Sequence, residues 1–373
     1  MSKLRFIKLS NVILLVVLAG SVMVSCHRHH KVEMYDEIML GATSAGTKAL
    51  VTGKQSMIDL SYDNNTGFGV YGYKTITNRN YEYRQFNNIL VYPTSKAESP
   101  TWTYAPKRYW DSNPDASYQF AAYWPHELTG GAFTSEANKV LTINDIPNWQ
   151  EETAGSDIMV ATKLGKYRGN SGEATTLSGG TVNFDFAHIL SNIYFQGYYV
   201  GIQDNQVNIL SMELSGTNML TTDGNADYTL PFAGQSTPAQ GFGTVTTGQS
   251  QHTLLPATTP VTLPTTSYYN DNENNPNQYD YSPICSWLVI PSTGWQNLTL
   301  TVTYSLGNIN QTPAPAAIPA APVRISLGDG TINPQYKYLV TLKFNSASKG
   351  IEVESVKVAD WNEITITPGV YNW

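Results

Sequence analysis

The chain has 373 residues, of which 41% are hydrophobic, so its length predicts about two domains with substantial cores. Only 14% of the residues are charged, whereas the chain has 24 Tyr, 29 Gly and 20 Pro, a balance that favours strands and turns over helices. The net charge of −7 argues against a nucleic-acid partner, because neutralising phosphates requires clustered Lys and Arg.

Residues 1–26 have the order of a secretory signal peptide. Three basic residues precede an apolar run from Val12 to Leu18, and small residues follow that run. The apolar segment is too short to cross a bilayer comfortably as a helix. Ser25 and Cys26 at its end resemble the bacterial lipobox, whose cysteine becomes the lipidated N-terminus. Ordinary cleavage near Ser25 is the alternative.

We therefore expect Cys26 to carry a lipid anchor that tethers the mature protein to a membrane. Each buried methylene contributes about 0.8 kcal/mol, and several acyl chains together anchor a protein stably. The other cysteine, Cys285, is then left without an intramolecular partner. We expect it to be a buried small hydrophobe in a fold without disulfides.

Residues 27–48 are expected to be a tether followed by the first strand. The tether begins with a histidine cluster, His27, His29 and His30. No further ligand follows at a spacing that would complete a metal shell, so we predict a solvated spacer and no metal site.

From Glu37 onward, apolar residues recur with period two, which predicts half-buried strands of antiparallel sheets. In the segment 351–358 the apolar face changes parity at Ser355, which indicates a β-bulge. No window of 12 residues has a convincing helical stripe. The predicted fold is all-β, with two β-sandwiches in tandem. The alternating segments are 68–73, 118–124, 298–306 and 338–344.

A Gly/Ser/Thr-rich passage before residue 180 predicts the boundary between an N-terminal sandwich over 49–180 and a C-terminal one over 181–373. Apolar residues from Val182 to Phe186 share one strand face with His188. We expect His188 to be a hydrogen-bonded core residue rather than a catalyst. Residues 216–281 are poor in apolar side chains and are expected to form long surface loops with one or two edge strands.

No catalytic constellation stands out. The sequence has no Gly-x-Ser-x-Gly nucleophile turn, no glycine-rich phosphate loop and no completed zinc-binding helix. The chain is therefore expected to have no catalytic residues, no enzyme activity and no cofactor. A glycosidase needs only two carboxylates, so a cell-surface hydrolase stays open as an alternative.

Several motifs, taken in order, resemble those of the Bacteroidetes fimbrillins, the type V pilins and their relatives. The similarity covers nearly the whole mature chain except residues 216–281. The motifs are the lipobox, Thr47-Lys48-Ala49, Phe68–Tyr73, the aromatic strand Tyr118–Pro125, Asp157–Ala161, Val182–Ser191 and Val358–Trp361.

This resemblance implies a structural subunit that is exported as a lipoprotein and folds into two transthyretin-like β-sandwiches. Proteolysis after the first strand then opens a groove for a strand of another subunit. On this sequence, the removable strand is Asp36–Ala42, with Ile38 and Leu40 facing inward. The cut falls near Lys48 and Ala49, although the family's cut usually follows Arg.

The resemblance also implies that the C-terminal segment donates the incoming strand. The candidate donor residues are Ile366, Val370, Tyr371 and Trp373, and the alternative is that they form the last strand of their own domain. The implied partners are other pilin subunits, the outer membrane through the lipid anchor, and a host or bacterial surface ligand. The implied location is a fimbrium on the cell surface.

A surface glycan-binding lipoprotein is the second reading of the sequence. It would use exposed aromatic side chains as stacking platforms on a β-sandwich. This reading predicts that Trp102, Trp110, Trp124 and Trp149 line one exposed surface. The hydrolase reading predicts instead that two carboxylates converge in one cleft.

Overall fold

The computed structural model describes residues 36–44, 54–64, 66–79, 81–113, 115–128, 131–135, 139–153, 156–165, 181–200, 206–235, 239–263, 281–308, 310, 312–345 and 350–360. Most of these residues lie in strands, which confirms the all-β fold class. Within these ranges, no helix is long and apolar enough to cross a membrane.

The described elements are one α-helix, one 3₁₀ turn and a series of strands. In chain order they are β1 (Met39–Ser44), α1 (Lys54–Asp63), β2 (Phe68–Ile76), the 3₁₀ turn (Thr77–Arg79), β3 (Tyr81–Pro93), β4 (Trp102–Thr103), β5 (Ala116–Trp124), β6 (Ala132–Ser135), β7 (Val140–Pro147), β8 (Trp149–Glu151), β9 (Met159–Gly165), β10 (Thr181–His188), β11 (Ser191–Val200), β12 (Val207–Leu220), β13 (Asn225–Pro231), β14 (Gly241–Phe242), β15 (Thr247–Leu255), β16 (Val261–Leu263), β17 (Ser282–Val289), β18 (Gln296–Leu306), β19 (Ile318–Pro319), β20 (Val323–Arg324), β21 (Tyr336–Asn345) and β22 (Gly350–Asp360).

The helix α1 is a difference from the sequence prediction. It is only ten residues long, so a 12-residue window does not isolate its pattern. Met57 and Ile58 are fully buried in the core, and the inward-facing Ser61 is polar. The Ser61 hydroxyl accepts a hydrogen bond from Trp124 Nε1 over 3.1 Å. Tertiary packing of this short helix, rather than a long apolar stripe, holds it in place.

The described strands form four sheets. A seven-stranded sheet has the order β1-β10-β9-β5-β2-β3-β4, and a five-stranded sheet has the order β22-β21-β11-β17-β8. The other two follow β15-β12-β18-β19 and β14-β13-β7-β6, and β16 and β20 add to β12 and β18. Two strand pairs are parallel, β1 with β10 and β11 with β21. The other described pairs are antiparallel.

Two hydrophobic clusters fill the described part of the chain. The smaller one lies inside the seven-stranded sheet and is capped by α1, and the larger one extends from β2 to β22. Central strands contribute to both clusters: Val70 and Ala122 face the smaller, whereas Tyr71 and Tyr123 face the larger. These strands are therefore buried on both faces rather than half-buried, because a second sheet covers their outer face.

The strand β10 contributes to the smaller cluster, although the composition of the sequence predicted that residues 181–188 begin the second sandwich. It pairs with β9 and β1, and Val182, Phe184 and Phe186 all face the smaller core. The Gly/Ser/Thr-rich passage that predicted a boundary lies outside the described residues. A break in composition marks a loop, but it does not determine which core the next strand joins.

The region 216–281, expected to form long surface loops with one or two edge strands, contains more strands than expected. It contains the end of β12 and all of β13, β14, β15 and β16, and residues 264–280 lie outside the described ranges. Buried side chains such as Leu230 and Leu254 alternate with polar outward-facing ones. Few apolar residues are enough here, because each of these strands presents only one face to the core.

Three local predictions can be compared with the structure. The β-bulge is confirmed, because Thr341 pairs with Ser355 while Leu342 pairs with Val353. His188 is buried, with its Nδ1 2.6 Å from Asp157 Oδ2, which confirms a core residue with a polar partner. Cys285 is a free thiol but only partly buried at the edge of the larger core, and burial raises the pKa of its thiol to about 12.

His252 is a buried histidine between two tryptophans. Its ring stacks on Trp149 with centroids 4.2 Å apart and meets Trp287 edge-on at 4.4 Å. Neither ring nitrogen has a hydrogen-bond partner in the described part of the chain. Burial lowers the pKa of His252 to about 4, so the folded state disfavours the protonated ring.

We predict that His252→Phe makes the protein more resistant to acid. Between the ordinary pKa of 6.5 and the folded value of about 4, the unfolded chain binds a proton that the folded chain does not. Stability conferred by the neutral ring is therefore lost as pH falls through this window. The variant also removes unsatisfied polar atoms, which cost about 1–3 kcal/mol.

Urea denaturation at pH 7 and pH 5 measures this effect. The midpoint of the wild type should fall further between the two pH values than that of His252→Phe. Equal decreases in the two proteins would show that His252 does not contribute to acid sensitivity.

Candidate functional site

The first strand, β1, lies at the edge of the seven-stranded sheet, where it pairs in parallel with β10. The register places Leu40 beside Val182 and Ala42 beside Phe184. Parallel neighbours are usually joined by a long crossover, and here most of the first half of the chain separates the two strands. The place of β1 in the sheet therefore depends on tertiary pairing rather than on a local hairpin.

Side chains of this segment alternate between core and solvent over residues 38–40, and Ala42 faces the core again. Ile38, Leu40 and Ala42 are 0%, 2% and 3% exposed, whereas Met39 between them is 45% exposed. The three buried side chains belong to the smaller hydrophobic cluster, together with Met57 of α1. One face of a single short strand thus completes a core that other strands surround.

The opposite edge of this segment is held by the loop after β4. Ile38 N donates to Arg108 O over 2.9 Å, and the Tyr104 hydroxyl donates to Ile38 O over 2.6 Å. Burial raises the pKa of Tyr104 to about 12, so its hydroxyl stays protonated and available as a donor. We call Tyr104 and Arg108 the clasp.

An ion pair joins the same two segments at the surface. Lys107 Nζ lies 2.7 Å from Glu37 Oε1, and both side chains are more than a third exposed. Exposed pairs of this kind contribute about 0–1 kcal/mol. The buried side chains and the clasp therefore hold the strand more strongly than this pair does.

Aromatic rings on neighbouring strands share the smaller core with Ile38, Leu40 and Ala42, and we call these rings the floor. The ring of Phe68 lies 5.7 Å from that of Phe184, 5.2 Å from that of Phe186 and 5.0 Å from that of Trp102. Phe184 also meets Phe120 at 6.2 Å. If β1 left, this apolar floor would face water, which is unfavourable by roughly 25 cal/mol per Å² of exposed apolar surface.

The predicted site residues are only partly within the described ranges. Ile38 and Leu40 lie in the core, as described above. Cys26, Lys48, Ala49 and the candidate donor residues Ile366, Val370, Tyr371 and Trp373 lie outside the described residues. Between Ser44 at the end of β1 and Lys54 at the start of α1, the predicted cut falls in a stretch that is not described.

Sequence reasoning did not find the clasp or the parallel register. Ala42 follows from the same alternation as Ile38 and Leu40, so the pattern already contained it. Tyr104 and Arg108 have no such signal, because their role depends on a contact with a segment 66 residues earlier in the chain.

The tryptophan surface expected of a glycan-binding protein is not observed. Trp102, Trp110, Trp124 and Trp149 are 7%, 2%, 1% and 6% exposed. Their rings pack in the two cores and are not available as stacking platforms. Within the described ranges, no group of three or more His, Cys, Asp or Glu side chains could hold a metal ion.

Comparison with known proteins gives a consistent picture. A family model described as fimbrillin-like matches residues 47–361, well over half of the chain. A solved fimbrial protein from Bacteroides vulgatus is 18% identical, with a TM-score of 0.48, over 87% of this chain and 99% of that one. A candidate cell adhesion protein from Bacteroides uniformis is 19% identical, with a TM-score of 0.46, over 87% and 98%. No match was found among proteins with curated functions.

Proposed function

Because the chain belongs to the fimbrillin-like family, we propose that it is a subunit of a cell-surface fimbria that assembles by exchanging its first strand. The family is structural, and the chain is accordingly not an enzyme. The proposal rests on the position of β1, which is an edge strand whose inward-facing side chains complete the smaller core.

The exchange requires that β1 be separable from the rest of the chain. It is the first described strand, and its covalent link to the following helix runs through residues 45–53. A cut near Lys48 would leave β1 held by its ladder with β10, the clasp and three buried side chains. Each large buried side chain contributes about 1.5–3 kcal/mol, so the cut strand would leave slowly without a competitor.

A departing β1 would leave an apolar groove flanked by unpaired backbone groups of β10. An incoming strand can pair with this edge and fill the groove with alternate side chains, which is the general mode of β-augmentation. The candidate donor is the segment 365–373 of a neighbouring subunit, because Ile366 and Val370 are apolar and its end is aromatic.

Such a subunit would be held at the outer membrane until assembly, and the lipid on Cys26 would provide the anchor. We expect Cys26→Ala to move the protein from the membrane fraction to the soluble periplasm, because the acyl chains supply the membrane affinity. Fractionation followed by immunoblotting measures this. Unchanged membrane partition of the variant would contradict a lipid anchor at this position.

Two truncated chains test assembly. A chain that starts at Ala49 lacks β1 and should form oligomers, because only an incoming strand can cover the exposed floor. The same chain ending at Asn362 keeps the groove but lacks the candidate donor, and it should not form them. Size-exclusion chromatography with light scattering distinguishes the two.

If the chain starting at Ala49 stays monomeric and folded at high concentration, the strand-exchange proposal fails. If both truncated chains polymerise equally, the segment 365–373 is not the donor. The full chain, with β1 in place, serves as the closed monomeric control.

A further inference from the structure

The face of β11 and β21 that points away from the larger core carries buried polar side chains. In the parallel register, Asn192 lies beside Lys337 and Gln196 lies beside Thr341. Gln196 Nε2 donates to Thr341 Oγ1 over 3.0 Å, so paired side chains on this face meet across the two strands. Adjacent strands are about 4.8 Å apart, a distance that the four-carbon stem of Lys337 is long enough to span toward Asn192.

Lys337 is a buried lysine, only 1% exposed. Its Nζ lies 4.2 Å from the centroid of the Tyr194 ring, and Tyr194 is the next residue after Asn192 on the same face of β11. Burial lowers the pKa of Lys337 to about 8, against an opposing effect of the Glu152 carboxylate. Burial thus favours the neutral amine, and a neutral amine is a nucleophile.

Asn192 is fully buried, and its amide is oriented by two neighbours. Its Nδ2 donates to Glu152 Oε2 over 3.0 Å and to Ser286 Oγ over 2.8 Å. The Ser286 hydroxyl also donates to Glu152 Oε2. Asn192 Oδ1 is buried without a hydrogen-bond partner in the described part of the chain. The amide nitrogen of Asn192 therefore donates to a carboxyl group that can transfer protons.

We propose that Lys337 and Asn192 form an intramolecular isopeptide bond, with Glu152 as the proton carrier. The lone pair of the neutral Lys337 Nζ attacks Asn192 Cγ, a C–N bond forms, and the carbonyl electrons move to Oδ1. Glu152 takes a proton from Nζ and transfers it to Nδ2. The Cγ–Nδ2 bond then breaks, the carbonyl re-forms and ammonia leaves. No oxidant is needed, and Glu152 returns to its starting state.

The bond would join two neighbouring strands that are far apart in the chain. β11 and β21 lie side by side in the five-stranded sheet, and the antiparallel partner β22 continues from β21. Resistance to forced unfolding depends on how fast strands separate, and a covalent link between them stops that separation. This cross-link is independent of strand exchange, because none of its residues lies in the smaller core.

Intact-mass spectrometry of the purified, folded protein tests the bond. The wild type should be lighter than the mass calculated from its sequence by one ammonia molecule. Lys337→Met keeps the apolar stem without the amine, and Glu152→Gln keeps the shape without the proton transfer. Each variant should have its full calculated mass. After proteolysis, one fragment should contain Asn192 and Lys337 joined.

The wild-type measurement does not depend on whether a variant folds. A wild type of full calculated mass would overturn the proposal. An ammonia loss that maps to a peptide without both Asn192 and Lys337 would also overturn it, as would an equal loss in Lys337→Met.

Discussion

Leu40→Asp should displace the first strand from the edge of the sheet. The uncleaved protein should then behave as if β1 had been removed. The Leu40 side chain is 2% exposed in the smaller core, and the described residues of that cluster are apolar. The substitution removes a packed side chain and places a carboxylate where it has no partner. We expect the free energy of unfolding to fall by at least about 3 kcal/mol.

Met39→Asp is the matched control, because Met39 is the next residue of the same strand and is 45% exposed. Its effect on stability should stay within about 0.5 kcal/mol. Urea denaturation gives the free energies, and the rate of limited proteolysis after β1 reports whether the strand has left its seat. Equal effects of the two substitutions would contradict the prediction that Leu40 faces the core and Met39 faces solvent.

Phe184→Ala should weaken both the closed monomer and the assembled fibre. Phe184 is fully buried, pairs in register with Ala42 and contacts the rings of Phe68, Phe186 and Phe120. Its loss leaves a cavity in the floor, which β1 or any strand that replaces it must cover. We expect a decrease of about 3–5 kcal/mol in the free energy of unfolding.

The effect on assembly separates the floor from general stability. In a chain that starts at Ala49, Phe184→Ala should reduce oligomer formation, because the donor gains less by covering a damaged floor. Leu300→Ala is the control, since Leu300 is buried in the larger core. It should destabilise the protein to a similar degree without reducing oligomer formation in the fraction that stays folded. Equal losses of oligomer would show that Phe184 has no special role at the groove.

Period-two alternation was the most informative signal in the sequence. It predicts the strand class and, for β18, the individual inward residues: Leu298, Leu300 and Val302 are all buried. The parity change at Ser355 even located a bulge, because an extra residue is the only way to keep apolar side chains on one face.

Alternation reveals local geometry but not the layers above and below a strand. Tyr71 and Tyr123 were expected on half-buried strands, yet a second sheet covers them: Tyr71 Oη donates to Ala132 O over 2.6 Å. Strand pairing between distant segments could not be predicted from the sequence either. β10 joins the seven-stranded sheet through β9 and pairs on its other side with β1, and nothing local to residues 181–188 indicates those partners.

The inward-facing residues of the candidate site could be predicted from the sequence, but the residues that surround them could not. Ile38 and Leu40 follow from the pattern of apolar residues around them. The clasp of Tyr104 and Arg108 depends on a loop that reaches back to the first strand, and the buried pair of Asn192 and Lys337 depends on a parallel register. Single-residue patterns contain no information on either contact.

Inter-subunit disulfide cross-linking tests the exchange of β1 most directly. In a chain that starts at Ala49 and carries Cys285→Ser, one new cysteine replaces Asn183 in β10, beside the position of Gly41. A second replaces Thr367 in the candidate donor. In a control chain the first cysteine replaces Thr247 instead, an exposed residue of β15 in another sheet. Donor pairing with β10 predicts a reducible ladder of multimers for the Asn183 chain and monomers for the Thr247 chain. Equal ladders, or no ladder in either chain, would contradict strand exchange at this groove.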